Sequence, residues 1–326
     1  MRAATFYRYG DINVLNVEEI ESPQPGPDEI LIRNFASTVM MGDCELRSFK
    51  VAPWIWLPLR IMLGIFRPRF SVLGQDYSGI IEQVGTNVTA FSPGDEVMAP
   101  CDMKFGGHAQ YVVLHRSKPI VRKPAKWSYQ EAATLPTSGL NALHLYDIAK
   151  TSGREKVLII GGGGSIGTYL IQLLKNKGSH VTVIDHSSKA DFLSEAGADQ
   201  TIHFDQVEVE SLKESFDVVI DIFHTTRYRH RLHLASRTGT YIVANPRLSS
   251  MFLQLYRKLF RNKNWPKIRN ALAPYTKELL QQLADLAHQK LLSSKIDRTF
   301  TIDQIKEAHE YVESGMKKGH VVVDLT

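Results

Sequence analysis

Lys156-Val157-Leu158-Ile159-Ile160 runs directly into Gly161-Gly162-Gly163-Gly164-Ser165-Ile166-Gly167, and this junction restricts the fold more than any other stretch of the chain. An unbroken apolar run predicts a strand buried on both faces. Beyond the glycines, Ile166, Leu170, Ile171 and Leu174 recur at helical period until Gly178. A second strand is then expected over His180–Ile184, with Asp185 at its end. Gly162, Gly164 and Gly167 keep the G-x-G-x-x-G spacing. The first glycine permits a tight turn, the second lets the backbone approach a pyrophosphate, and the third allows close helix–strand packing. Peptide N–H groups at the helix start, around Ser165 and Ile166, favour the phosphates. Asp185 stands about 20 residues past the first glycine, where a carboxylate accepts hydrogen bonds from ribose hydroxyls. A lone glycine triplet carries little; here the strand before, the helix after, the second strand and the acid agree on dinucleotide binding.

Asp185 also bears on the cofactor. A carboxylate there repels a 2′-phosphate and favours NAD over NADP. Against this, His186-Ser187-Ser188-Lys189 supplies donors to a phosphate if Asp185 turns away. Further strands are expected at Phe216–Asp221 and Gly239–Asn245, placing Asn245 at a strand end, either beside a nicotinamide or as a loop cap.

The chain has 326 residues, 43% hydrophobic and 22% charged, which excludes a disordered or collagen-like polypeptide and suits two domains. The net charge of +5 is mild and dispersed, so nucleic acid is not expected as a partner. Two cysteines, Cys44 and Cys101, cannot build a disulfide framework or a zinc lobe, and suit a reducing, cytoplasmic setting. The N-terminal residues contain no apolar stretch of signal-peptide length. Val51–Phe66 is the most membrane-like segment, but Pro53, Pro58 and Arg60 interrupt it and it falls short of the roughly 20 residues a span needs.

Up to about residue 121, short runs alternate with Gly and Pro breaks: Glu29–Asn34, Ser78–Val84, Glu96–Ala99 and Ala109–Leu114. That spacing predicts a barrel or small packed sheet. Ser128 and Glu131 form a capping-box pattern, and Leu140, Leu143 and Ile148 predict a further helix. The boundary is expected near residue 125.

At this point the chain resembles a medium-chain dehydrogenase/reductase of the zinc-free, quinone oxidoreductase-like branch. The resemblance rests on Val84-Gly85-Thr86-Asn87-Val88-Thr89-Ala90-Phe91-Ser92-Pro93-Gly94-Asp95-Glu96-Val97, on Glu131-Ala132-Ala133-Thr134-Leu135-Pro136 with Gly139-Leu140-Asn141-Ala142, and on the closing segment from Ile296 through His309 to Val321. It implies an α/β architecture: a GroES-like β-barrel domain over 1–125, to which 296–326 return, and a Rossmann doubly wound parallel sheet over 126–295. It further implies cofactor contacts at Thr137, Gly162, Gly164, Ser165, Ile166, Gly167, Asp185, Lys189 and Asn245, and a homodimer.

Departures from the zinc-dependent pattern shape the expected chemistry. Met40 falls where the first zinc Cys would be, Gln75 replaces the His of a G-H-E motif, and no Cys lies around Thr134. His144, His224, His230 and His233 read as surface or loop histidines. Zinc prefers thiolate and imidazole ligands, so no metal is expected. Without that Lewis acid, hydride transfer from a reduced nicotinamide to a quinone or an α,β-unsaturated carbonyl is the reaction that still works.

Asp43 and Arg47, in Thr38-Val39-Met40-Met41-Gly42-Asp43-Cys44-Glu45-Leu46-Arg47, are the candidate catalytic pair, positioning substrate or relaying a proton. The competing reading is an internal salt bridge that only shapes the loop, and Cys44 reads as a small packing residue. Val51–Phe70 is expected to form an apolar cap over a bulky hydrophobic acceptor, or else a core or dimer-packing loop. Ser249–Asn270 is expected to be an amphipathic lid or subunit-contact helix, with an anionic membrane surface as the other occupant. The alternative function is a catalytically weak nucleotide-binding protein that recruits membrane, RNA or a protein partner.

Overall fold

Alternating and continuous apolar runs fold here into two sheets, one for each of two compact units. The computed structural model describes residues 1–101, 105–223, 226–246, 248–260 and 265–326. Unit 1 comprises Met1–Thr137, Tyr275–Gln289 and Ser294–Thr326; unit 2 comprises Ser138–Pro274 and Lys290–Ser293. His224, Arg261 and Lys263 lie outside the described residues, as do the side chains of Arg257, Lys258, Leu259 and Phe260.

In unit 1, β1 (Arg2–Thr5) and β2 (Asn16–Glu19) pair as an antiparallel ribbon. The main sheet runs β14 (Ile296–Thr301), β15 (His320–Asp324), β3 (Glu29–Thr38), β4 (Asp76–Val84), β5 (Glu96–Pro100) and β7 (Val121–Arg122), with β6 (Tyr111–His115) also on β3. The closing segment of the chain thus enters this sheet: β15 is parallel to β14 and antiparallel to β3. Val321, Val322 and Val323 on β15 are fully buried. α1 (Met41–Ser48), α2 (Pro53–Leu63), α3 (Tyr129–Ala133), α8 (Lys277–His288) and α9 (Ile305–Glu313) also belong to unit 1. The Ser128 side chain caps α3, and Glu131 reaches back to the Ser128 N–H at 2.8 Å, the reciprocal pair its spacing predicts.

Unit 2 is an all-parallel sheet in the order β10 (Gln200–His203), β9 (His180–Asp185), β8 (Lys156–Ile160), β11 (Phe216–Asp221), β12 (Ala235–Val243), β13 (Lys267–Asn270). Leu158, Ile184, Phe216, Val219 and Tyr241 are buried in one cluster across it. α5 (Ser165–Lys177) and α6 (Ala190–Glu195) lie in the crossovers from β8 to β9 and from β9 to β10 that such parallel neighbours need. α4 (Pro136–Ala149) begins in unit 1 and continues into unit 2.

Two segments differ from their sequence reading. β12 starts at Ala235 rather than Gly239, because an irregularity lets Phe216 pair with Ala235 before the regular register resumes at Val218 and Thr240. Ser249–Asn270 is not one amphipathic helix: α7 (Leu248–Phe260) is followed by β13, whose Ile268 is buried while Lys267 is exposed, an edge-strand alternation with little apolar signal.

Because β15 is held on both sides by hydrogen-bonded neighbours, a charge buried at its centre cannot be accommodated by an edge. Val322→Asp is expected to lower stability by about 3 kcal/mol or more. A urea midpoint equal to that of the wild type would contradict the central placement of this strand.

Candidate functional site

The glycine loop of unit 2 follows from close approach. A Cβ at Gly167 would stand 2.2 Å from the carbonyl oxygen of Gly162, so no larger residue lets α5 pack on the turn after β8. A Cβ at Gly164, by contrast, would project into open space, with nothing within 4 Å. Gly164 enters α5 in extended conformation and no side chain caps the helix. The positive end of the helix dipole therefore faces open space at Gly164. Gly162, Gly164, Ser165, Ile166 and Gly167 come together here as the sequence predicts.

Asp185 is built into the same turn. Its Oδ2 accepts from the Gly163 N–H at 2.7 Å, and its Oδ1 accepts from the His186 N–H at 2.8 Å. The Lys189 ammonium lies 3.1 Å from Oδ1, and both side chains are almost completely buried. The carboxylate thus holds the loop, and its charge is balanced four residues later. Asn245, just past β12, donates its side-chain N–H to the Ile222 carbonyl at 2.9 Å and braces the neighbouring strand end.

Across the carboxyl ends of the strands opens a cleft of about 520 Å³ lined by Ile160, Ile184, Phe204, Phe223, Glu210 and Arg231. It sits where the strand order reverses between β8 and β11, the usual ligand crevice of such a sheet. Asp221, at the end of β11, accepts from the Tyr241 hydroxyl at 2.7 Å. Burial raises the Asp221 carboxyl to about 6, against the pull of Tyr241 and Arg231. Sequence reading missed this group because its partner Arg231 lies in an irregular helical segment with no motif to mark it.

Unit 1 gathers a second set of buried polar residues. Asp43, the third residue of α1, accepts from the Met40 N–H at 2.8 Å and the Gly74 N–H at 3.2 Å. Arg47 is also buried, but its guanidinium meets Glu313 at 2.6 Å rather than Asp43, so the expected salt bridge within the loop is replaced by one to α9. The partner is sequence-distant, which is why local reading could not find it. Asp76 accepts from the Thr38 hydroxyl at 2.6 Å and from the Thr137 N–H at 2.8 Å. Thr137 therefore stands in unit 1, its hydroxyl 3.3 Å from the Gln75 carbonyl.

Cys44 is buried with its Sγ 3.4 Å from His309 Nδ1. Burial pushes the Cys44 thiol up and holds His309 well below the usual imidazole range, so both are neutral. His108, held to about 4 by burial, packs edge-on against the His309 ring. Met40 and Gln75 occupy the positions where zinc ligands would fall, and no three His, Cys, Asp or Glu among the described residues converge as metal ligands do.

Comparison with known proteins agrees with this architecture. Residues 26–137 match the alcohol dehydrogenase GroES-like domain, residues 196–323 a zinc-binding dehydrogenase domain, and residues 158–219 a TrkA-N domain. A chloroplastic quinone oxidoreductase, QR1, of Triphysaria versicolor is 28% identical over 99% of this chain and 98% of its own length. The 2-methylene-furan-3-one reductase of Solanum lycopersicum is 26% identical over 99% of this chain and 79% of its own length. The solved quinone oxidoreductase of Coxiella burnetii superposes with a TM-score of 0.87 at 26% identity, covering 100% of this chain and 99% of that one. The chain belongs to the medium-chain dehydrogenase/reductase superfamily, with a GroES-like domain and a parallel-sheet Rossmann domain.

Burial raises the Asp76 carboxyl to about 7, against hydrogen bonds from Thr38 and Thr137 that favour its charged form. Folded, it keeps its proton up to about pH 7; unfolded, it loses it near 3.8. Its ionisation therefore costs stability as pH rises through that window. Asp76→Asn is expected to gain on the wild type by a few kcal/mol between about pH 4 and pH 8. Urea unfolding at both ends of that range checks this; a difference independent of pH would contradict it.

Proposed function

We propose that the protein is a zinc-independent NAD(P)H-dependent reductase acting on a quinone or an α,β-unsaturated carbonyl. The observation that carries this reading is the open phosphate cradle at Gly164, at the start of α5 and at the topological switch point of the sheet. The names of the relatives, two quinone oxidoreductases and a furanone reductase, support the same acceptor class.

A bound nicotinamide would supply the hydride, and its diphosphate would be held by the first-turn amides of α5 over Gly164, Ser165, Ile166 and Gly167. Phe204 and Phe223, 5.6 Å apart and edge-on, offer apolar ring surface beside that loop to a purine. Asn245 keeps the neighbouring strand-end loop in place. Asp43, Arg47 and Thr137 act as positioning residues: their polar atoms tie α1 to the 74–76 segment and α9 and join α4 to β4. Acceptors that spread incoming charge onto an oxygen need orientation more than a Lewis acid, which supports a reading without zinc.

Asp185 discriminates less between the two cofactors than a free carboxylate would. Lys189 balances its charge, so the carboxylate repels a 2′-phosphate less than it would alone. The proposal therefore includes both NADH and NADPH, without the NAD preference that the acid alone suggests.

Incubating the protein with either reduced cofactor and a panel of quinones and enones, while following cofactor absorbance, tests the activity. Turnover is expected on at least one acceptor; cofactor binding without any turnover would point instead to a nucleotide-binding module with little catalysis. Gly167→Ala is expected to abolish cofactor binding, by displacing α5 from the turn. Lys189→Ala is expected to shift the NADPH-to-NADH affinity ratio about tenfold toward NADH, read by titrating both. An unchanged ratio would remove Lys189 from the cofactor-selecting role.

A further inference from the structure

α2 presents a face that a protein surrounded only by water has no reason to build. Within Pro53–Leu63 every residue but Arg60 is apolar, and Trp54, Trp56, Leu57 and Ile61 are exposed. Ile65 and Phe66 continue the surface just past the helix, Phe66 at 94% exposure. Isolated exposed apolar residues are ordinary; a contiguous patch containing two tryptophans and a phenylalanine is not.

Arg60, the polar exception, is drawn in among aromatic rings, Trp56 on this face included at 5.2 Å. Its guanidinium stacks 4.0 Å from the Tyr9 ring and 4.1 Å from the Phe49 ring, and donates to the Ile65 carbonyl at 3.1 Å. Two carbonyls at the end of α2, those of Arg60 and Leu63, are also paired within the protein. The Arg60 carbonyl accepts from the Gly64 N–H at 2.9 Å, and the Leu63 carbonyl from the Arg69 N–H at 2.8 Å. The Tyr9 hydroxyl lies 3.0 Å from the Leu63 carbonyl and 3.1 Å from that of Gly64. Gly64 makes this tight return possible: it has φ +118°, and a Cβ there would sit 2.0 Å from the Arg67 carbonyl oxygen.

The charge around the patch identifies what covers it. No acidic residue occurs between Glu45 and Asp76, whereas Lys50, Arg67 and Arg69 are exposed beside the apolar face. A helix of 11 residues is too short to cross a bilayer, and no helix among the described residues is long and apolar enough to do so. Its length, its tryptophans and its basic flank match a helix lying in the headgroup region of an anionic leaflet. We propose that α2 and the Gly64–Phe70 turn dock the protein onto an anionic phospholipid surface, with Trp54, Trp56, Leu57, Ile61, Ile65 and Phe66 in the acyl boundary and Lys50, Arg67 and Arg69 on the headgroups. This inference stands on unit 1 alone and is independent of the reductase reading.

Flotation with vesicles of phosphatidylcholine, with and without phosphatidylglycerol, tests it on the full chain. The wild type is expected to float with the anionic vesicles and to partition at least about tenfold less onto the neutral ones, since each cation near an anionic leaflet strengthens binding roughly fivefold. Leu57→Glu/Phe66→Glu is expected to lose flotation without loss of thermal stability, both positions being exposed. Arg67→Glu/Arg69→Glu is expected to lose the preference for anionic vesicles and its sensitivity to salt. A wild type that stays in the lipid-free fraction with both vesicles would overturn the proposal. So would a Leu57→Glu/Phe66→Glu protein that floats like the wild type. A wild-type dimer that Leu57→Glu/Phe66→Glu converts to monomer, with no vesicle binding by either, would assign the patch to a second copy of the chain instead.

Discussion

One carboxylate fastens the glycine loop of unit 2. Asp185 closes the β9 strand, takes the Gly163 N–H on one oxygen and shares the other between the His186 N–H and the Lys189 ammonium. Almost wholly removed from water, it would be costly there without such partners. Its presence fixes the second strand to the glycine turn, and the turn to the start of α5. The open space at Gly164 and the packing of Gly167 against Gly162 belong to the same turn.

The same economy governs unit 1, where buried polar groups tie backbone to backbone across sequence-distant elements. Asp43 joins α1 to the segment before β4, Asp76 joins β4 to β3 and the start of α4, and Arg47 joins α1 to α9. Burial raises both carboxyls, to about 6 for Asp43 and about 7 for Asp76, so the fold keeps their protons at a pH where an exposed acid has lost them. Such groups specify one arrangement of the chain. The cost is a dependence on pH that a purely apolar core lacks.

The strand–glycine–helix unit was legible in the sequence because each of its parts is local: the β8 run, the Gly162, Gly164 and Gly167 spacing, the α5 stripe and the acid at the end of β9 lie within thirty residues. The α3 capping box was equally local. Partners were not legible where they depend on distant chain: Glu313 for Arg47 and Tyr241 for Asp221. β13 was hidden inside an apparently amphipathic segment because a four-residue edge strand with one buried side chain has almost no periodic signal. The exposure of α2 was also invisible, since an apolar run reads the same whether it lies in a core or on a surface.

The account stands on peptide N–H groups at the start of α5 receiving a diphosphate. Backbone amide chemical shifts recorded while NADPH is titrated into the protein report on those groups directly. The account predicts that the largest changes fall on Gly163 to Gly167, with smaller ones at Asp185 and His186. Saturable binding that leaves these amides unmoved would contradict it.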